Sequence, residues 1–331
     1  MKDKSFLQIR KNAKENNPSS QYYLSLAYED GLRVERNLEL SFYWCQQSAK
    51  NGHAAAQYRL SHLYSIGKGL SQPDKQLAFQ WLNEAAKNGH TKAKHQLAKR
   101  FLFSNSHKDC CLEARQWFRS AAASGNAKSY YYLGFMHIYG LGCTKNPERA
   151  FSYFKSGADL FNVDCEAALG TMYDRGDGCH RNIGLSEYWY EKAAVKGHAG
   201  AQFALSILYL GEGKNKSAAV WSSIAANRGI LPAQAFMAKF SAQGIGVEID
   251  FCEALMWCLI GLNSSFIDPD SLNIINECHS FLMEHASPRQ FAQAHEKAKR
   301  WLEIQNSSEN NKIDWSFQVS WEISQFIRRS S

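Results

Sequence analysis

The fold class predicted by the sequence is an all-α solenoid of about seven antiparallel helix-pair repeats with capping helices at its ends. Three periodic columns predict it. An aromatic residue returns at Trp44, Trp81, Trp117, Tyr153, Trp189, Trp221 and Trp257, at intervals of 37, 36, 36, 36, 32 and 36 residues. Small pairs follow it, clearest as Ala85-Ala86, Ala121-Ala122, Ala193-Ala194 and Ala225-Ala226, and then glycine at Gly52, Gly89, Gly125, Gly197 and Gly229. A leucine-like anchor recurs at Leu24, Leu60, Leu97, Leu133, Leu169, Leu205 and Met237. Self-similarity at this period means units that are stable only because their neighbours cover their apolar faces.

The elements follow in order. Residues 1–17 are expected to hold an N-terminal capping helix, with its helical part over 5–16. From 18 to 265 runs the repeat array, and each unit opens on a helix built around the anchor. Four residues before the anchor stands a small side chain (Ser20, Ala56, Ala93, Ser129, Cys165, Ala201, Ala233), and four after it usually an aromatic (Tyr28, Tyr64, Phe101, Tyr173, Tyr209). That spacing puts all three on one helix face. A glycine-bearing turn, as in Gly140-Leu141-Gly142 or Gly176-Asp177-Gly178, ends the first helix through positive φ. The second helix starts behind a polar cap, for example Asn146 with Pro147 in the first turn, and carries the aromatic column. All seven column residues are expected to lie mostly buried between repeats, so that Trp117→Ala would cost about 3–5 kcal/mol.

Three units depart from the pattern: Ser104-Asn105-Ser106 replaces the glycine turn of the third, His137 takes the tyrosine position of the fourth, and the sixth is short. Capping helices are expected over 266–305, where Ser287–Leu302 alternates polar and apolar residues suitably for a solvated outer face. The tail, 306–331, reads DWSFQVSWEISQFI from Asp314; its apolar positions fit a strand or a helix. It either folds on the array or serves as a partner segment or amphipathic membrane contact supported by Arg328 and Arg329.

These residues resemble the Sel-one-like repeats (SLR), relatives of the tetratricopeptide repeats. The second unit, AAAQYRLSHLYSIGKGL followed by LAFQWLNEAAKNG, is similar to the family pattern almost throughout. The resemblance implies a right-handed superhelix of antiparallel pairs that binds proteins or peptides in its concave groove, and it does not imply an enzyme.

Composition restricts the function classes. The chain has 331 residues, 45% of them hydrophobic, and 38 Lys/Arg against 31 Asp/Glu. Residues 90–125 hold seven Lys/Arg against two Asp/Glu, a local basic patch on an otherwise balanced chain. The opening lacks an apolar run of signal-peptide length, so a cytoplasmic location is expected. Nine cysteines at irregular spacing give no disulfide ladder and are expected to be reduced. Cys252, Cys258, Cys278 and His279 are the nearest approach to a zinc set, without a CxxC or HxxxH pair. Neither a P-loop nor a GxSxG or HExxH motif occurs, so no cofactor, metal or catalytic residue is assigned. His53, His90 and His198 recur at one inter-repeat position and are read as structural.

A binding face is expected opposite the core face of the first helices. It comprises Tyr23, Arg59, His62, Lys99, Tyr132, Phe135 and Tyr139, an exposed aromatic cluster beside cations, unless neighbouring units curl enough to bury the aromatics. The function read from this is an adaptor or scaffold holding a protein or peptide. One alternative is an immunity protein neutralising a secreted bacterial toxin or effector. Another is a helical repeat that reads RNA, disfavoured because no base-reading column recurs and most net charge sits in one unit.

Overall fold

The computed structural model describes residues 2–67, 72–104, 108–264 and 268–307. Their regular structure is seventeen α-helices, without strands, and the chain divides into two compact units, 1–157 and Ala158 onward. In the first unit α1 (Lys2–Lys14) precedes the pairs α2 (Pro18–Asp30) with α3 (Leu38–Lys50), α4 (Ala54–Ile66) with α5 (Lys75–Lys87), and α6 (Thr91–Leu102) with α7 (Lys108–Ala123). Next come α8 (Ala127–Tyr139) and α9 (Pro147–Asp159), whose last residues already belong to the second unit. That unit continues with α10 (Val163–Arg175) and α11 (Ile183–Val195), α12 (Ala199–Gly211) and α13 (Asn215–Asn227), and α14 (Leu231–Gln243) and α15 (Phe251–Leu262). Finally α16 (Pro269–His285) packs on α14 and α15, and α17 (Pro288–Ser307) on α15. The tail beyond Ser307, Lys68-Gly69 and Asn105-Ser106 lie outside the described residues.

Local chemistry sets the helix ends. First helices start behind Asn17, His53, His90, Asn126, Asn162 and His198, whose Oδ1 or Nδ1 accepts the backbone N–H three residues on, at 2.9–3.2 Å. An imidazole nitrogen accepts only when unprotonated, so the three histidines cap as neutral rings. The recurrence of histidine is therefore structural in a specific sense. Second helices start likewise behind Asn37, Asp74, Asn146, Asn182 and Asp250. The shortening of the sixth repeat falls wholly in one turn: residues 212–214 join α12 to α13, where 176–182 join α10 to α11.

The seven anchors, Leu24 through Met237, are all buried to 2% exposure or less. The aromatic column is mostly buried too, as expected, but it lies shallower than the anchors. Only Trp257 is fully buried; the other six residues are partly exposed. The deep position is the next one along, held by Cys45, Leu82, Phe118, Phe154, Tyr190, Ser222 and Cys258. A one-residue step turns a helical side chain by about 100°, enough to move the core-facing role off the indole. In two repeats a glycine on the first helix makes room for this residue. Phe154 faces Gly134 and Tyr190 faces Gly170, and a methyl group added to either glycine would come within 2.5 Å of the ring. The other five units carry serine or alanine there: Ser25 with Cys45, Ser61 with Leu82, Ala98 with Phe118, Ser206 with Ser222 and Ala238 with Cys258.

A buried polar contact joins successive repeats. Gln21, Gln57, Gln202 and Gln234 donate through Nε2 to the carbonyls of Ala13, Ala49, Ala194 and Ala226, near the end of the preceding second helix. Their Oε1 atoms can take a donor from the end of their own repeat's second helix, as Gln21 does from Asn51 and Gln57 from Asn88, both at 2.9 Å. In the fifth repeat the pair is ionic: Lys196 Nζ lies 2.7 and 2.8 Å from the two oxygens of the fully buried Glu166, and Lys192 Nζ lies 3.4 Å away.

Candidate functional site

The first helices place the seven predicted contact residues at different depths. Tyr23 on α2 is 62% exposed, Tyr139 at the end of α8 is 46% exposed, and His62 on α4 is exposed. Arg59 is half-buried and ion-paired with Glu29 of the preceding first helix. Lys99 on α6 is half-buried, its Nζ 5.7 Å from the ring centre of Tyr132.

The expected exposure of Tyr132 and Phe135 is overturned: they are 7% and 6% exposed. Tyr132 stacks flat on Phe118 of α7 at 4.9 Å and meets His95 of α6 edge-on at 5.5 Å. Phe135 lies between Tyr131 and Tyr139, one helical turn to either side. Neighbouring helices thus cover the aromatic cluster and leave only its rim accessible.

Two features escaped the sequence reading. The first is residue 161. The turns that end second helices carry Gly52, Gly89, Gly125, Gly197 and Gly229, all with φ between 83° and 92°. Phe161 occupies the equivalent place after α9, with φ of 60° and a side chain 75% exposed. Left-handed backbone is costly for any residue with a Cβ, and a bulky ring there is rare. Beside it stand Leu160, exposed, and the ammonium of Lys196, 5.8 Å from the ring centre. Val195, 76% exposed, precedes that lysine on the matching turn of the next repeat. The signal was readable: the glycine column has a gap at 161.

The second feature is a basic cavity of about 380 Å³ in the first unit, lined by Arg115 and Arg119 of α7, His137 of α8, and Arg149, Ser152 and Tyr153 of α9. His137 is buried, stacks on Tyr153 at 5.5 Å and has Cys143 Sγ 3.5 Å from its Nδ1. Burial holds its pKa below the usual value, and Arg115, Arg149 and Arg119 push the same way, against a hydrogen bond to the Thr144 backbone. The excess of cations over 90–125 hinted at this site, but the contribution of Arg149 from the next helix pair was invisible to a count along the chain.

Among the described residues no group of three His, Cys, Asp or Glu side chains is placed to hold a metal ion, and no helix is long and apolar enough to cross a membrane.

The family model of the Sel1 repeat matches residues 18–53, 54–90, 108–126, 127–160, 163–198 and 231–261. No curated protein matches the sequence significantly. Among solved structures, the chain is similar to c5321, a protective antigen present in uropathogenic Escherichia coli strains and displaying an SLR fold, with 28% identity and a TM-score of 0.77. That similarity covers 90% of this chain and 63% of the other, so this chain spans less than two thirds of its length. A Sel1 repeat protein from Oxalobacter formigenes is 26% identical with a TM-score of 0.64, over 83% of this chain and 80% of that one. The immunity protein PA5088 from Pseudomonas aeruginosa, at 20% identity and a TM-score of 0.41 over 70% and 82% of the two chains, is too distant to bear on function.

Proposed function

The chain belongs to the Sel1 repeat family, and from that premise we propose that it is an interaction scaffold holding a protein or peptide partner on a surface centred on Phe161. The observation that carries this reading is the conformation of that residue. An exposed ring contributes little to folding, while its left-handed backbone costs about 1 kcal/mol that glycine would avoid. Five sibling turns use glycine. A large apolar side chain held outward at such a cost is suited to fill a pocket on a partner, where aromatic anchors dominate binding energy. Leu160 and Val195 widen the apolar contact, and Lys196 adds a cation at its edge. In the first unit, Tyr23, His62 and Tyr139 are the accessible members of the predicted face, with Arg59, Lys99, Tyr132 and Phe135 beneath them, and form a separate contact surface in this proposal.

The test separates stability from binding. Phe161→Gly should raise the melting temperature by roughly 2–4 °C, as expected for about 1 kcal/mol in a unit of this size. In affinity capture from the native host followed by quantitative mass spectrometry, the same variant should lose a partner at least about tenfold. A variant that is stabilised but recovers the same proteins in the same amounts refutes Phe161 as the anchor.

A further inference from the structure

The basic cavity between α7, α8 and α9 points to a second binding site, independent of the Phe161 surface. We propose that it binds the dianionic phosphoryl group of a phosphate monoester, with Arg115, Arg119 and Arg149 as the charge-bearing ligands.

Three observations carry the inference. First, three guanidinium-bearing side chains line one cavity of about 380 Å³ whose other lining residues are His137, Ser152 and Tyr153, so no carboxylate faces it. None of the three arginines forms a salt bridge or a side-chain hydrogen bond among the described residues. This contrasts with Arg59, Arg181, Lys192 and Lys196 elsewhere in the chain, which all have acidic partners. Second, Arg115 Nε is buried and lacks a hydrogen-bond partner, so a charged donor has been taken from water without a protein acceptor in return. Third, the Tyr153 ring, stacked on His137, is part of the lining and sets an apolar surface beside the cationic groups.

Charge and donor geometry then choose the ligand. Three like charges converging on one cavity repel one another until an anion enters, and a carboxylate would offset only one of them. A phosphate monoester brings close to two negative charges near neutral pH and three terminal oxygens, which match the planar donor forks of several guanidinium groups. The Tyr153 ring in the lining offers the carrier of the ester an apolar surface. Chloride has neither the charge nor the number of acceptors to engage all three arginines.

Titration calorimetry on the full chain at about physiological ionic strength tests this, with phenyl phosphate, inorganic phosphate and benzoate as probes. Phenyl phosphate should bind saturably, one per chain, and at least about tenfold more tightly than benzoate, reflecting the second charge. Arg119→Gln and Arg149→Gln change exposed side chains, so both variants should keep the wild-type melting temperature; each should weaken phenyl phosphate severalfold, and the double variant should abolish saturable binding. Tighter binding of phenyl phosphate than of inorganic phosphate would identify an ester-borne group as the source, and equal binding a free phosphate; both results support the site. Absence of saturable binding by either phosphate probe, benzoate binding as tightly as phenyl phosphate, or a folded double variant with undiminished affinity would each overturn it.

Discussion

Acid should unfold this protein through one histidine more than any other, and the size of the effect follows from its surroundings. His95 sits on α6 beside the stacked rings of Phe118 and Tyr132, meeting each edge-on at 5.5 Å centre to centre. Its Nδ1 lies 2.9 Å from Ser129 Oγ, which itself donates to Asn126 Oδ1, the oxygen capping α8. The serine oxygen is thus left to accept from an Nδ1–H, and a second proton would have to go on Nε2 of a partly buried ring. Burial, with smaller contributions from the charges of Lys99 and Lys128, lowers the pKa from 6.5 to about 4. Because the folded value lies below the unfolded one, the unfolded chain binds the proton more readily. Stability owed to neutral His95 is complete above pH 6.5 and drains away as the pH falls toward 4. Linkage gives a loss of roughly 2 kcal/mol by about pH 5 and about 3 kcal/mol by the time the folded-state pKa is reached. Urea unfolding of the wild type and His95→Asn, near pH 7.5 and about pH 5, isolates this contribution, since the asparagine amide can still reach Ser129 but carries no titrating proton. Carboxylates and the capping His53 and His90 titrate in both proteins and cancel in the comparison. The variant will be weaker at both pH values, yet its pH-dependent loss should be smaller than that of the wild type by roughly 2 kcal/mol. Equal losses would refute the assignment of the acid sensitivity to His95.

Two further outcomes follow from packing. Phe118→Ala should cost about 3–5 kcal/mol and Trp117→Ala clearly less, because the phenyl ring is fully buried and the indole is not; chemical denaturation of the two variants checks the order, and the reverse order would restore the indole as the core residue. Glu166→Gln should stay within about 1 kcal/mol of the wild type, since glutamine serves at the matching position of four other repeats, whereas Glu166→Ala should cost several times as much by stranding Lys196 and Lys192 and opening a void.

How much of this was legible depended on which physical signal each residue carries. The anchors and the small residues four positions before them were readable because a leucine with a small neighbour on the same helix face has one stable use, and every anchor is buried. The cap at Asn146 and the glycine turns were readable from backbone chemistry alone. The aromatic column was legible as a mostly buried stripe, whereas the still deeper position beside it varies from Cys45 to Tyr190 and shows no pattern until its partners on the facing helix are known. Tyr132 and Phe135 were misplaced for the same reason, since helical phase gives a direction but not what α6 and α7 lay over it. The basic cavity unites residues from three helices, and such convergence cannot be read from spacing along the chain.

The matched sizes of the two deep positions also define what can be moved between such proteins. Gly170 makes room for Tyr190, and Gly134 for Phe154, within one repeat in each case. A single helix grafted from one repeat into another would therefore bring either a ring without its recess or a recess without its ring. Duplication, deletion or engineered exchange keeps the volume balance only when both helices of a pair travel together. The glycine turns inside a pair are consequently poor splice points, and the capped junctions before Asn162 or His198 are good ones.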